Sequence, residues 1–267
     1  MFAVASSSKQ PINPSEDLAP PVLWAEPSKS TRGPAPAYSR NILAQAAVRI
    51  ADMEGVDAVS MRRIASELGS GPASLYRYVN SKDDLLSLMV EQIMGELKLP
   101  RPSKSWRADL RKIAFGIRAM VLSHPWMTSV SLFRPALGPN SLTATEATLR
   151  VLDGLGLPID EMLVISNTVS TFARGYAAWE IAEHETALRS GLDREQWMAS
   201  QAPYVGVIRE SGKYPMFMRV IDDAKTPHDS RFMQKVFARG VEYILDGVAA
   251  SVRQISEVAR NDSSPRR

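Results

Sequence analysis

A chain of 267 residues is long enough for one or two domains with a sizeable buried core. Hydrophobic residues make up 45% and charged residues 23%, and a net charge of +3 with a pI near 9.1 permits nucleic-acid binding without demanding it. With no cysteine, disulfides and thiolate zinc sites are excluded, and no run reaches the roughly 20 apolar residues of a membrane helix. The first residues also lack the basic and apolar pattern of a secretory signal, so a cytoplasmic protein with no membrane partner is expected.

In chain order, residues 1–37 are rich in proline, serine and alanine, with Pro11, Pro14, Pro20, Pro21, Pro27, Pro34 and Pro36 spread through them. Such a segment sustains neither helix nor sheet pairing and reads as a mobile tail. Lys29 and Arg32 near its end suit either an arm on DNA or a solvated tail without a role. Residues 39–54 follow as a first helix whose core stripe is Ile42, Leu43, Ala46, Ala47, Ile50 and Met53, stopped by Gly55. Arg40 and Arg49 lie off that stripe, where Arg40 is within reach of a phosphate or is a plain surface residue.

Residues 59–82 carry the most informative pattern. Met61, Ile64, Ala65 and Leu68 recur at helical spacing behind Ser60 as N-cap, Gly69 ends that helix, and Pro72 opens a second one with Leu75 and Val79 buried. Two short helices across a glycine turn form either a helix-turn-helix that sets its second helix in the DNA major groove or an ordinary helical hairpin. Pro72, Ala73 and Ser74 are small enough to approach base edges, while Tyr76, Arg77, Tyr78 and Lys82 carry hydroxyls and cations suited to phosphates. Ser81 then caps a fourth helix, with Asp83 and Asp84 in its first turn, that runs to about Leu99 before Pro100 and Pro102.

Beyond it the periodicity stays helical. Helices are predicted at 106–123, 127–133, 139–155, 159–188, 194–211 and 230–258, with no alternating strand pattern and no internal repeat. Enzyme motifs fail at particular letters. His184-Glu185 opens a zinc-protease pattern but Leu188 stands at the second ligand position, and Gly154 and Gly156 open a dinucleotide pattern in which Ile159 replaces the third glycine. No catalytic residue, metal site or cofactor is expected. Bulky groups from several helices suit a small-molecule pocket, for which the candidates are His124, Trp126, Phe133, Asn167, Thr168, Phe172, Arg174, Tyr176 and Trp179; plain core packing is the alternative for each.

Residues 38–86, with S-R-N-I-L-A-Q-A-A-V-R-I-A-D-M-E-G before the motif and L-Y-R-Y-V-N-S-K-D-D-L-L closing it, resemble the DNA-binding domain of the TetR (tetracycline repressor-like) family. The stretch R-G-V-E-Y-I-L-D-G-V-A-A from Arg239 is similar to the close of the tetracycline-repressor-type C-terminal domain. The resemblance implies an all-α chain: a disordered tail (1–37), a three-helix helix-turn-helix head (38–86), a helical ligand-binding and dimerisation body (87–260) and a flexible tail (261–267). It further implies a recognition helix over 72–78, Tyr76 and Lys82 on phosphates and Arg62 touching DNA; because Pro72 and Ala73 leave few side-chain donors at the front of that helix, base readout is expected to rest on Ser74, Arg77 and apolar contact with thymine methyls. Met162, Ile165, Val169, Phe172, Ala173, Tyr176 and Ala177 on one late helix resemble the family's dimer interface. So do Phe232, Val236, Val241, Ile244, Leu245, Val248 and Val252 on another, with burial within a single chain as the alternative for both sets. The function implied is a ligand-responsive transcriptional regulator, usually a repressor, bound as a homodimer to a palindromic double-stranded operator and released by a small-molecule effector. The rival is a helical enzyme or small-molecule binding protein with a vestigial DNA-binding head.

Overall fold

The computed structural model describes residues 22–24, 38–130, 137–225 and 231–262. Among them there are helices and turns and no strand. Three helices form the head: α1 (Arg40–Glu54), α2 (Met61–Glu67) and α3 (Pro72–Leu75). Ser60 caps α2 as expected, its Oγ accepting from the Arg63 amide, while Ser39, read as the first residue of the first helix, is instead its N-cap, its Oγ accepting from the Ile42 amide. The turn after α2 needs Gly69, whose φ of +62° is the left-handed region that side chains with a Cβ avoid.

Burial on α1 differs from the expected stripe. Leu43, Ala46, Ala47 and Ile50 are buried, but Ile42 and Met53 are exposed, while Ala44, Val48 and Ala51 are buried instead. The reason is that α1 is packed on two sides, against α2 on one and α4 (Lys82–Met94) on the other. Small alanines suit such a doubly covered helix, because they let the neighbouring helix axes come close.

The body consists of α5 (Trp106–Ser123), a 3-10 turn (Pro125–Thr128), α6 (Pro139–Leu152), α7 (Ile159–Ser190), α8 (Arg194–Ser200), α9 (Ala202–Ser211), α10 (Pro215–Asp223) and α11 (Phe232–Asp262). Helix α4 ends at Met94, short of the expected Leu99, because beyond Gly95 the amides turn back only three residues, Glu96 to the Ile93 carbonyl and Leu97 to that of Met94. The single helix predicted over 194–211 is two, broken at Gln201; Pro203 lacks the N–H for the i−4 bond and its ring would crowd the carbonyl of Ala199. Helix α10 was not anticipated, although Pro215 followed by Met216, Phe217, Val220 and Ile221 is a helix start with one apolar face.

Two apolar clusters run through the described residues. One joins head to body: Leu43, Ile50, Ile64, Leu75 and Met89 pack with Met120, Val121, Trp126, Met127 and Ala177. The other fills the body between α5, α6, α7 and α11 and centres on Phe237. Met162, Ile165, Val169, Ala173, Val241, Leu245 and Val248 belong to this inner cluster, with Phe172, Tyr176, Ile244 and Val252 packed on it. The positions expected at a dimer interface are therefore largely this chain's own core. Outward on α7 lie Leu163, Val164, Asn167, Thr168, Thr171, Gly175, Trp179 and Ala182, a stripe without a charge.

Most of the expected N-terminal tail falls outside the described residues, as do residues 263–267. Within it, Val22 and Leu23 pack against the head-to-body cluster, and the Trp24 indole donates to the Leu137 carbonyl. This triplet is docked on the body, contrary to the expectation of a uniformly mobile tail.

Candidate nucleic-acid interface and body cavity

The α3 side chains are displayed by a small hydrophobic anchor. Leu75 is completely buried and Val79 nearly so, which turns Pro72, Ala73, Tyr76 and Arg77 outward, with Arg62 of α2 and Lys82 of α4 exposed beside them. The α-helical bonding stops at Leu75, and the Tyr78 amide turns back to the Leu75 carbonyl at 2.9 Å, so residues 76–78 continue as a tight turn. Two cations in this region already have partners. Arg77 Nη2 donates to the Tyr78 hydroxyl at 2.7 Å and its guanidinium lies over the Tyr78 ring, while Arg40 Nε donates to the Tyr78 carbonyl at 3.1 Å. Arg40 thus ties the start of α1 to the end of the 72–78 segment. Ser74 Oγ donates to the Gly71 carbonyl and is met by Ser70 Oγ, each at 2.7 Å, so its proton is committed locally and a lone pair is what remains for a base.

The candidate pocket residues do not converge on one cavity. His124 and Trp126 sit at the joint between head and body, where Asp52 of α1 holds both: its Oδ1 lies 2.8 Å from His124 Nδ1 and accepts from Trp126 Nε1 at 2.8 Å. Phe172 and Tyr176 pack on Phe237, and the Tyr176 hydroxyl donates to the Met233 carbonyl at 2.7 Å. Burial, then the nearby Glu180 carboxylate, pushes that phenol above its ordinary range. Asn167 and Thr168 point outward from α7, the Thr168 hydroxyl being spent on the Val164 carbonyl. Arg174 is largely buried, which holds its guanidinium below the usual arginine range. Trp179 is 40% exposed and packs edge-on to Phe232, and Phe133 lies outside the described residues.

A cavity of about 780 Å³ does open elsewhere, between the second half of α7, α8 and the start of α11. Leu122, Ile181, Ala187, Met198, Phe232 and Met233 supply its apolar wall, and Pro125 closes the end nearest the head. Glu180, Glu183, His184, Glu185, Asp193, Arg194 and Glu195 supply the polar part. Much of that charge is internally satisfied: Glu180 accepts both arms of the Arg118 guanidinium at 2.9 and 2.7 Å, and Arg194 reaches Glu183 at 3.2 Å while lying over the Phe232 ring. Of the candidate pocket residues named from the sequence, none that the structure describes lines this cavity. Among the described residues no cluster of three histidine, aspartate or glutamate side chains could hold a metal ion, and no helix is long and apolar enough to cross a membrane.

Comparison with known proteins follows the same division into head and body. Residues 43–89 match the family model for bacterial regulatory proteins of the tetR family, and residues 99–252 match that for the tetracyclin repressor-like C-terminal domain. The chain belongs to the TetR family of transcriptional regulators. This TetR-family chain is 32% identical over 246 residues to the HTH-type transcriptional repressor DrrR1 of Streptomyces coeruleorubidus, covering 91% of this chain and 88% of that one. Among solved structures, apo ActR of Streptomyces coelicolor superposes with a TM-score of 0.68 at 27% identity, over 83% of this chain and 99% of ActR. ActR in complex with actinorhodin gives 0.66 at 28% identity, over 80% of this chain and 97% of that one. The relatives are regulators and repressors, which points to a DNA-binding regulator rather than an enzyme.

Proposed function

We propose that this TetR-family regulator acts as a cytoplasmic homodimeric repressor whose two α3 segments enter successive major grooves of a palindromic operator, and that a small molecule in the body releases it. The observation that carries the DNA-binding part is the exposed set of Pro72, Ala73, Tyr76 and Arg77 on one short segment anchored by Leu75 and Val79, with Arg62 of α2 and Lys82 of α4 exposed as well. Selection of bound duplexes from a random pool tests it. Tyr76→Ala and Lys82→Ala are expected to weaken binding to every selected sequence, by about 1 kcal/mol each for a lost phosphate contact. Arg77→Ala is expected to relax preference at one position by roughly 1 to 3 kcal/mol. A selected-site profile unchanged by Arg77→Ala moves that residue from base readout to the backbone.

The uncharged outward stripe of α7, from Leu163 to Ala182, supports the dimer. It extends about 28 Å at the helical rise. Across a two-fold axis every contact occurs twice, so a charge introduced in the stripe is buried once from each protomer. Val164→Glu is accordingly expected to weaken the dimer by roughly 3 kcal/mol or more, read as a shift to monomer in sedimentation at micromolar concentration. A Val164→Glu protein that remains as tight a dimer as the wild type places the interface elsewhere.

ActR, similar over most of this chain, has been solved in complex with actinorhodin. That likeness supports an effector site in the body, and the 780 Å³ cavity has the size and the mixed lining for one. Leu122 and Pro125 in its wall flank His124, whose imidazole is joined to α1 of the head, so a molecule filling the cavity presses on the corner that holds the head. Only a difference in affinity between the DNA-binding and released arrangements can drive the change.

A further inference from the structure

One imidazole in the joint between head and body faces two carboxylates. His124 Nδ1 is 2.8 Å from Asp52 Oδ1 on α1, and its Nε2 is 3.1 Å from Glu96 Oε2, two residues past the end of α4. Asp52 Oδ1 accepts in addition from Trp126 Nε1 at 2.8 Å. An ionised carboxylate only accepts, so both contacts are hydrogen bonds only when both ring nitrogens carry protons. The neutral ring has a single N–H, and one of the two contacts then sets a bare nitrogen against a carboxylate oxygen. His124 is 8% exposed, so water is poorly placed to take over the lost partner.

The surroundings leave these two carboxylates as the charges in contact with the ring. From α1, Glu54 is engaged by Arg63 and Arg49 by Glu67. From α7, Ala177 and Ile181 pack into the joint and do not ionise; Glu180 is held by Arg118, and His184 lines the cavity beyond Pro125.

We propose that His124 is a positioning residue for DNA binding: as an imidazolium it latches the head to the body through Asp52 and Glu96, and so makes operator affinity depend on protons. This rests on the DNA-binding reading above. Two recognition segments must be held at a fixed separation to meet two half-sites, and a head that swings freely loses that freedom on binding at a cost in affinity. The latched arrangement holds a proton that the unlatched neutral ring lacks. The latch is therefore complete when both ring nitrogens carry protons and is broken at one of its two contacts when the ring is neutral.

The test uses the full chain and a duplex selected from a random pool, at pH 6 and pH 8 and constant ionic strength. Wild-type affinity is expected to fall about tenfold between them, the scale of one charge-assisted hydrogen bond. His124→Gln is expected to bind weakly at both, and His124→Arg, permanently charged with several donors, to bind tightly at both. A second readout needs no DNA: the Trp126 indole N–H resonance, assigned by its loss in Trp126→Phe, moves with pH in the wild type and stays in place in His124→Gln. Identical pH profiles for wild type and His124→Gln, or a Trp126 resonance indifferent to pH, overturn the proposal. If no selected duplex binds, the DNA-binding reading fails with it, whereas a titrating Trp126 resonance still supports the latch as a structural joint.

Discussion

Phe237→Ala is expected to lower the unfolding free energy by about 3 to 5 kcal/mol, the range for deleting a large aromatic from a packed core. Phe237 is completely buried and central to the body: Phe115 meets it edge-on at 4.9 Å, Phe172 stacks on it at 5.6 Å and Tyr176 packs against it at 5.3 Å between ring centroids. These rings come from α5, α7 and α11, so removing the one they share leaves a hole that three helices would have to close together. Little of that closure is available, because Gly240 one turn along α11 is already pressed on the Phe172 ring: a Cβ there would stand 2.3 Å from it. Urea unfolding at fixed protein concentration measures the effect. A loss below 1 kcal/mol would mean that the body is not organised about this ring.

Arg118→Ala is expected to cost a comparable amount, about 3 to 5 kcal/mol, for a different reason. The pair it forms with Glu180 joins α5 to α7 through two hydrogen bonds, and the two side chains are only 18% and 10% exposed. Truncating the arginine leaves a carboxylate that is only 10% exposed without its partner, and also removes the guanidinium over the Phe237 ring at 5.1 Å from its centroid. The double replacement Arg118→Ala with Glu180→Leu is expected to recover most of the loss, since the penalty lies in the orphaned charge rather than in the missing attraction. Should the single and double variants be equally unstable, lost packing rather than the stranded carboxylate is the cause. Because Glu180 also lines the cavity, the same pair of variants alters its polarity in a known direction.

Most of the head was legible, apart from the burial of α1, where Ile42 and Met53 are exposed. Ser60 and Ser81 cap the helices they precede, Gly69 takes the left-handed turn, and Leu75 and Val79 anchor the segment that carries Tyr76 and Arg77. All of these signals act over three or four residues, within the reach of helical periodicity and cap chemistry. The pocket was not legible in the same way. Aromatic bulk marked Phe172, Tyr176 and Trp126, yet bulk alone does not separate a residue that lines a cavity from one that fills a core, and these three fill or join cores.

What the sequence by itself determined is local: an all-helical chain and the start and stop of most helices, because caps, glycine turns and apolar spacing are short-range properties; the TetR type of the head came from the resemblance of residues 38–86 to that family. What only the tertiary structure decided is which partners meet across the chain. Asp52 with His124, Arg118 with Glu180, and the walls of the cavity are separated by 72, 62 and more than a hundred residues. A carboxylate in a helix is equally at home facing water or an arginine, and nothing in its neighbours says which. That choice is made by how α1, α5, α7 and α11 stack, and stacking is set by the summed burial of many apolar side chains rather than by any one motif.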